Sequence, residues 1–147
     1  MKTILRLALL LAACTVLLGT ARAERATIEG ILITASNEAG STDRRLAPYE
    51  ATLRRILRFE TFRHVGSDRT SLEVPASGSL NVGDGHQLAL ETEQSDGKSV
   101  HVKVRWTAGG RTLMNTGLVL RPGVPAVLGG PATGNKGEVY AVILVGR

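Results

Sequence analysis

From Thr61 onward the apolar residues recur at every second position, and clusters of Gly, Pro and Asp interrupt them at short intervals. A period of two matches the alternation of side chains across a strand, whereas a helix repeats every 3.6 residues. The pattern restricts this part of the chain to strands: Thr61 to Val65, Thr70 to Val74, Ser79 to Val82, His86 to Gln94, Ser99 to Thr107, Arg111 to Leu120, Ala126 to Leu128 and Glu138 to Val145. Turns fall at Val82-Gly83-Asp84-Gly85, Ser95-Asp96-Gly97, Ala108-Gly109-Gly110, Arg121-Pro122-Gly123 and Gly134-Asn135-Lys136-Gly137. Ala26 to Ala35, rich in β-branched residues and without a helix cap, reads as a further strand.

The hairpin at Asp96-Gly97 tests two registers. A two-residue loop sets Val102 against Glu91 and Val104 against Ala89, which places a carboxylate on the valine face. A three-residue loop, Ser95-Asp96-Gly97, pairs Thr92 with Val100, Leu90 with Val102, Leu88 with Val104 and His86 with Trp106. Glu91 beside His101, Ala89 beside Lys103 and Gln87 beside Arg105 then form the other face. One apolar and one charged face is what an antiparallel sheet with one wet side requires. The last strand differs, because Val139 to Val145 is apolar on both faces. It is expected at the centre of a sheet covered on both sides.

The period is helical in one place only. Leu46, Tyr49, Leu53, Ile56 and Leu57 share a face over about residues 45–58, behind N-cap candidates Ser41, Thr42 and Asp43. Pro48 fits only the first turn, where its missing N–H has no partner to lose. The expected fold is mainly β with this one amphipathic helix, α+β by strict counting. Its architecture is an antiparallel β-sandwich or partly closed barrel, with the helix over one open face or end.

The first residues read as an export signal. Lys2 and Arg6 precede an apolar stretch from Leu7 to Gly19, and Ala21-Arg22-Ala23 supplies small residues for cleavage. That stretch, roughly 13 residues, is shorter than a permanent membrane span. Cleavage after Ala23 removes residues 1–23 and leaves 24–147 as a single β-rich domain, placed in the periplasm or outside the cell. The alternative is a lipobox, Leu11-Ala12-Ala13-Cys14, which would make a lipoprotein anchored through Cys14. Cleavage after Ala23 also discards the sole cysteine and, with Lys2, Arg6 and Arg22, three of the five excess positive charges. Disulfides, thiolate zinc sites and a cysteine nucleophile are then excluded.

No catalytic or metal constellation stands out. His64, His86 and His101 have neither HxH nor HxxxH spacing, no serine lies in GxSxG, and Gly40 is followed by no GK[ST]. No cofactor is expected, and the reading is of a protein that is not an enzyme. The charge gathers instead: Asp43 to Arg69 holds seven arginines against four acids, while Thr70 to Arg147 is nearly balanced. Arg44, Arg45, Arg54, Arg55 and Arg58 flank or line the helix, with Arg63 and Arg69 behind. They are the candidate surface for an anionic partner, an envelope protein or anionic envelope component, by bidentate contacts. With only five aromatics, the chain is not expected to bind nucleic acid.

Ala35-Ser36-Asn37, Tyr49 to Phe59, Asn115-Thr116 and Leu118 to Gly123 followed by Gly129-Gly130-Pro131 resemble a pattern of small exported bacterial proteins with no known activity. The tail from Gly123 through Val127-Leu128-Gly129-Gly130 to Val139–Val145 is similar to the closing β segment of secretins. That similarity implies an accessory role in an envelope or secretion assembly and carries over no functional residue. The expected function is therefore an exported, non-catalytic binding module of the cell envelope. The alternatives are a small secreted hydrolase and a structural protein that self-associates through strand edges.

Overall fold

The structure is a computed structural model that describes residues 25–94 and 98–147. The expected leader 1–23, Cys14 and the Ser95-Asp96-Gly97 turn lie outside the described residues. Eight strands follow in chain order: β1 (Arg25–Ser36), β2 (Thr61–Glu73), β3 (Ala76–Gly83), β4 (His86–Gln94), β5 (Val100–Ala108), β6 (Arg111–Leu120), β7 (Ala126–Ala132) and β8 (Val139–Gly146). Between β1 and β2 lie a 3-10 helix, Arg44–Tyr49, and helix α1, Glu50–Leu57. The strands form two four-stranded antiparallel sheets, β2-β1-β8-β7 and β3-β4-β5-β6. The sandwich expected from the alternation is the observed architecture.

The two central strands of the first sheet, β1 and β8, are apolar on both faces. Ile28 and Leu32 of β1, with Val142 and Leu144 of β8, point between the sheets and meet Leu80, Leu88, Leu90, Val102, Val104 and Trp106. Ile31, Ile33 and Ala35, with Ala141, Ile143 and Val145, point the other way. There Leu46 and Leu53 of the helical segment cover them, and Phe62 of the neighbouring strand β2 joins the same core. The helix is thus the lid of a second core, and the expected central place of the last strand is observed.

The helical segment is shorter and more divided than its periodicity implies. Ala47 precedes Pro48, so the α conformation is disfavoured at Ala47. The first six residues wind as a 3-10 helix, and the α-helix starts only at Glu50. Asp43 caps the segment, its carboxylate accepting from the Arg45 N–H at 3.0 Å. Ile56, expected on the buried face, is 48% exposed, whereas Leu53 and Leu57 on either side of it pack on the core.

Three strand expectations need correction. Thr61 to Val65 and Thr70 to Val74 are one continuous strand, β2, whose partner register slips at Leu32/Ile33 so that Val65 opposes no residue of β1. A bulge bends the strand without ending it. β7 likewise runs past Leu128 to Ala132, through an irregularity between Gly129 and Ala132. The hairpin register is displaced by two residues: Leu88 pairs with Trp106, Leu90 with Val104 and Thr92 with Val102. A shift of two leaves every side chain on its expected face, so alternation alone could not select between these registers. On the wet face Glu91 consequently lies opposite Lys103, and His101 opposite Glu93.

Trp106 and Gly130 show how closely the two sheets fit. A Cβ on Gly130 would collide with the outer ring atoms of Trp106 and crowd the Tyr140 carbonyl. We expect the helix lid to be far less tolerant at Leu53 than at Ile56. Truncation of the fully buried side chain, Leu53→Ala, should cost about 2 to 5 kcal/mol. Ile56→Ala should stay within about 0.5 kcal/mol, as surface changes usually do. Urea unfolding of both variants measures the contrast, and similar losses at the two positions would contradict the placement of the lid.

Candidate functional site

The sequence singled out five arginines, and the fold divides them. Arg45 is held by Asp43, with an Nη2–Oδ2 distance of 3.2 Å. This contact and the capping bond, led by the bond from the Arg45 N–H, hold the Asp43 carboxyl below its ordinary range. Arg54 is held by Glu50 at 2.9 Å, one helical turn away, and reaches the Glu60 carbonyl at 3.4 Å. Arg44, Arg55 and Arg58 are exposed and, among the described residues, have no carboxylate within ion-pair distance. Of the two arginines behind them, Arg69 is paired with Glu29 at 2.8 Å, whereas Arg63 is exposed. The surface that can receive a partner is therefore smaller than the sequence suggested. The exposed arginines of the helical segment without a carboxylate are Arg44, Arg55 and Arg58, with exposed Ile56 between the last two in sequence, and Arg63 on β2 is likewise exposed and without one among the described residues.

Arg58 has an unusual backbone. It terminates α1 with φ 56° and ψ 35°, and its N–H closes on the Arg54 carbonyl at 3.2 Å. The left-handed conformation costs an L-residue with a Cβ about 1 to 2 kcal/mol, which is why glycine usually holds this post. Here the post is held by a residue whose side chain carries a free positive charge.

A second cluster lies at one end of the sandwich. The β3–β4 hairpin turns through Asp84-Gly85, whose φ values of 53° and 74° match the two-residue type I′ loop that favours this dipeptide. The turn aims the Asp84 carboxylate at the other sheet, where it accepts from the Tyr140 hydroxyl at 2.6 Å. That bond first, and burial second, push the phenol up to about 12. His86 follows in β4, 4% exposed, with its ring 4.4 Å from that of Tyr140 and 5.8 Å from that of Trp106. Trp106 donates its Nε1–H to His86 Nδ1 at 2.9 Å. An accepting Nδ1 requires the neutral ring with its proton on Nε2. Burial lowers the pKa of His86, against the opposing pull of Asp84. The sequence placed His86 on the apolar face near Trp106 but held no sign of Tyr140 or Asp84, which come from a distant strand and a turn.

Two open depressions lie on the wet face of the second sheet. One groove of about 360 Å³ runs past Ser77, Glu91, Lys103, Arg105 and Asn115, and another of similar size past Glu93, His101 and Val119. Lys103 bonds Glu93 at 3.0 Å, which raises the lysine pKa. Among the described residues no group of three or more His, Cys, Asp or Glu side chains could hold a metal ion. Nor is any helix among them long and apolar enough to cross a membrane. Comparison with protein-family models, with curated proteins and with solved structures found no match.

The His86 arrangement makes stability depend on pH. The unfolded chain takes up a proton near the ordinary histidine value, about 6.5, while the folded chain resists until a lower pH. Stability is therefore complete above that value and declines as the pH falls below it. Thermal unfolding between about pH 8 and pH 5 should show this decline, and His86→Phe should flatten it while lowering the whole curve, because Trp106 loses its acceptor. A His86→Phe curve parallel to the parent curve would remove His86 as its source.

Proposed function

We propose that this chain is a non-catalytic binding module of the bacterial cell envelope, exported to the periplasm or beyond, with cleavage after Ala23. In the lipoprotein alternative the same module is tethered through Cys14. It takes an acidic protein surface or another anionic envelope component through the exposed arginines Arg44, Arg55 and Arg58. The similarity of the tail to secretins supports a place beside an envelope or secretion assembly.

The observation that carries this reading is Arg58. A residue kept in a conformation that glycine would adopt more cheaply is retained at a cost in stability, and such positions concentrate where function demands them. Two further unpaired arginines near the same helix, Arg44 and Arg55, supply the planar, multi-donor groups that bind carboxylate or phosphate bidentately. The interior adds support, since side chains of both sheets and of the helical segment pack together in the two cores.

Exchanging Arg58 separates stability from binding. Arg58→Gly should raise stability by about 1 kcal/mol, from relief of the left-handed strain, and weaken capture of the partner from envelope extracts. Arg44→Gln, Arg55→Gln and Arg58→Gln combined should abolish that capture with the thermal midpoint nearly unchanged. Capture that survives the triple variant would refute the helix as the binding surface.

A further inference from the structure

The two lateral seams of the sandwich are built differently. Along one, β2 and β3 lie side by side: a Cβ on Gly66 would strike the Val82 carbonyl oxygen, and Asp68 accepts from the Asn81 N–H at 2.9 Å. Along the other, β6 and β7 touch only sparsely, and the seam is closed at its ends by their neighbours. Trp106 of β5 packs on Gly130 of β7 at one end, and a bridge joins Pro122, just after β6, to Gly146 of β8 at the other. Between these points β6 pairs with β5 alone, so its second edge offers unpaired backbone donors and acceptors. Met114 and Leu118, which face the core from β6, are only half-buried, as are Ala126 and Leu128 across the seam. Val119 on β6 is 45% exposed and Val124 just beyond it 55%.

The stretch of chain that builds this edge carries charge of one sign. Between Asp96 and Glu138 the sequence holds no acidic residue, while Lys98, Lys103, Arg105, Arg111, Arg121 and Lys136 fall within that span. Arg111 opens β6 and Arg121 follows it. Both are exposed, as is Arg105 on the neighbouring strand, and none has a carboxylate within ion-pair distance among the described residues.

We infer that β6 is a docking edge for an extended, acidic segment of another polypeptide, added as a fifth strand to the second sheet. Backbone pairing would hold such a segment, its apolar residues would cover Met114 and Leu118, and its carboxylates would meet Arg105, Arg111 and Arg121. A second copy of this chain is the poorer occupant. Any antiparallel pairing of two β6 edges brings together two strands without a carboxylate between them, and pairing centred on Thr116 sets Arg111 opposite Arg121. This edge is separate from the helix surface and does not depend on the function proposed above.

The test uses two synthetic peptides, one alternating valine with glutamate and one alternating valine with lysine, added to the full protein. The glutamate peptide should bind saturably and slow hydrogen exchange at amides of Arg111–Leu120, leaving β2, β3 and β7 unchanged. The lysine peptide, and the glutamate peptide with the combined Arg105→Gln, Arg111→Gln and Arg121→Gln variant, should bind about tenfold or more weakly. Thermal unfolding checks that this variant remains folded, and arginine replacements on the helix should leave peptide binding as it was. The inference is overturned by absence of saturable protection, by protection at another edge, or by equal binding of the two peptides. It is equally overturned if the free protein dimerises with concentration and protects β6 by itself.

Discussion

Everything in this fold hangs on two neighbouring strands that bury apolar side chains on both faces. β1 and β8 send alternate side chains into opposite cores, so neither face can be left to solvent without exposing a row of Ile, Leu and Val. At about 25 cal/mol per Å² of apolar surface, leaving even one such row uncovered would cost several kcal/mol. The second sheet covers one face and the helical segment the other. The short α1, too short to be stable in isolation, persists because Leu46 and Leu53 complete a core that the strands cannot close.

Much of this was legible in the sequence, and the reasons for the failures are specific. The apolar stretch from Val139 to Val145 announced a doubly covered strand because no polar residue breaks either of its faces. Alternation in β4 and β5 assigned each side chain to the correct face. It could not fix the register, since patterns two residues apart are equivalent; larger contacts decide, among them Trp106 with His86 and Gly130. The join between the two halves of β2 was hidden because no apolar residue marks the alternation from Gly66 to Arg69, while the structure uses Gly66 for close approach to β3.

The candidate surfaces were only half legible, because counting charges along a chain ignores how they pair and where strands carry them. Five arginines near one helix became three once Asp43 and Glu50 had claimed Arg45 and Arg54. The region after Thr70, nearly neutral as a whole, holds most of its carboxylates up to Asp96 and then only cations until Glu138. A balance taken over the whole region averages that division away. Searching for long acid-free runs, such as the one between Asp96 and Glu138, would have exposed it.

The pairing of β1 with β8 also imposes an order in time. These strands lie near opposite ends of the described chain, yet each supplies part of both cores. A chain emerging from its N-terminus can form the hairpins of β3 to β6 early, since those contacts are local. Neither core can close until Val139 and the residues after it are available, and closing so long a loop is slow. Until then the chain remains open, with the apolar side chains of β1 waiting for a partner that is synthesised after every other described strand.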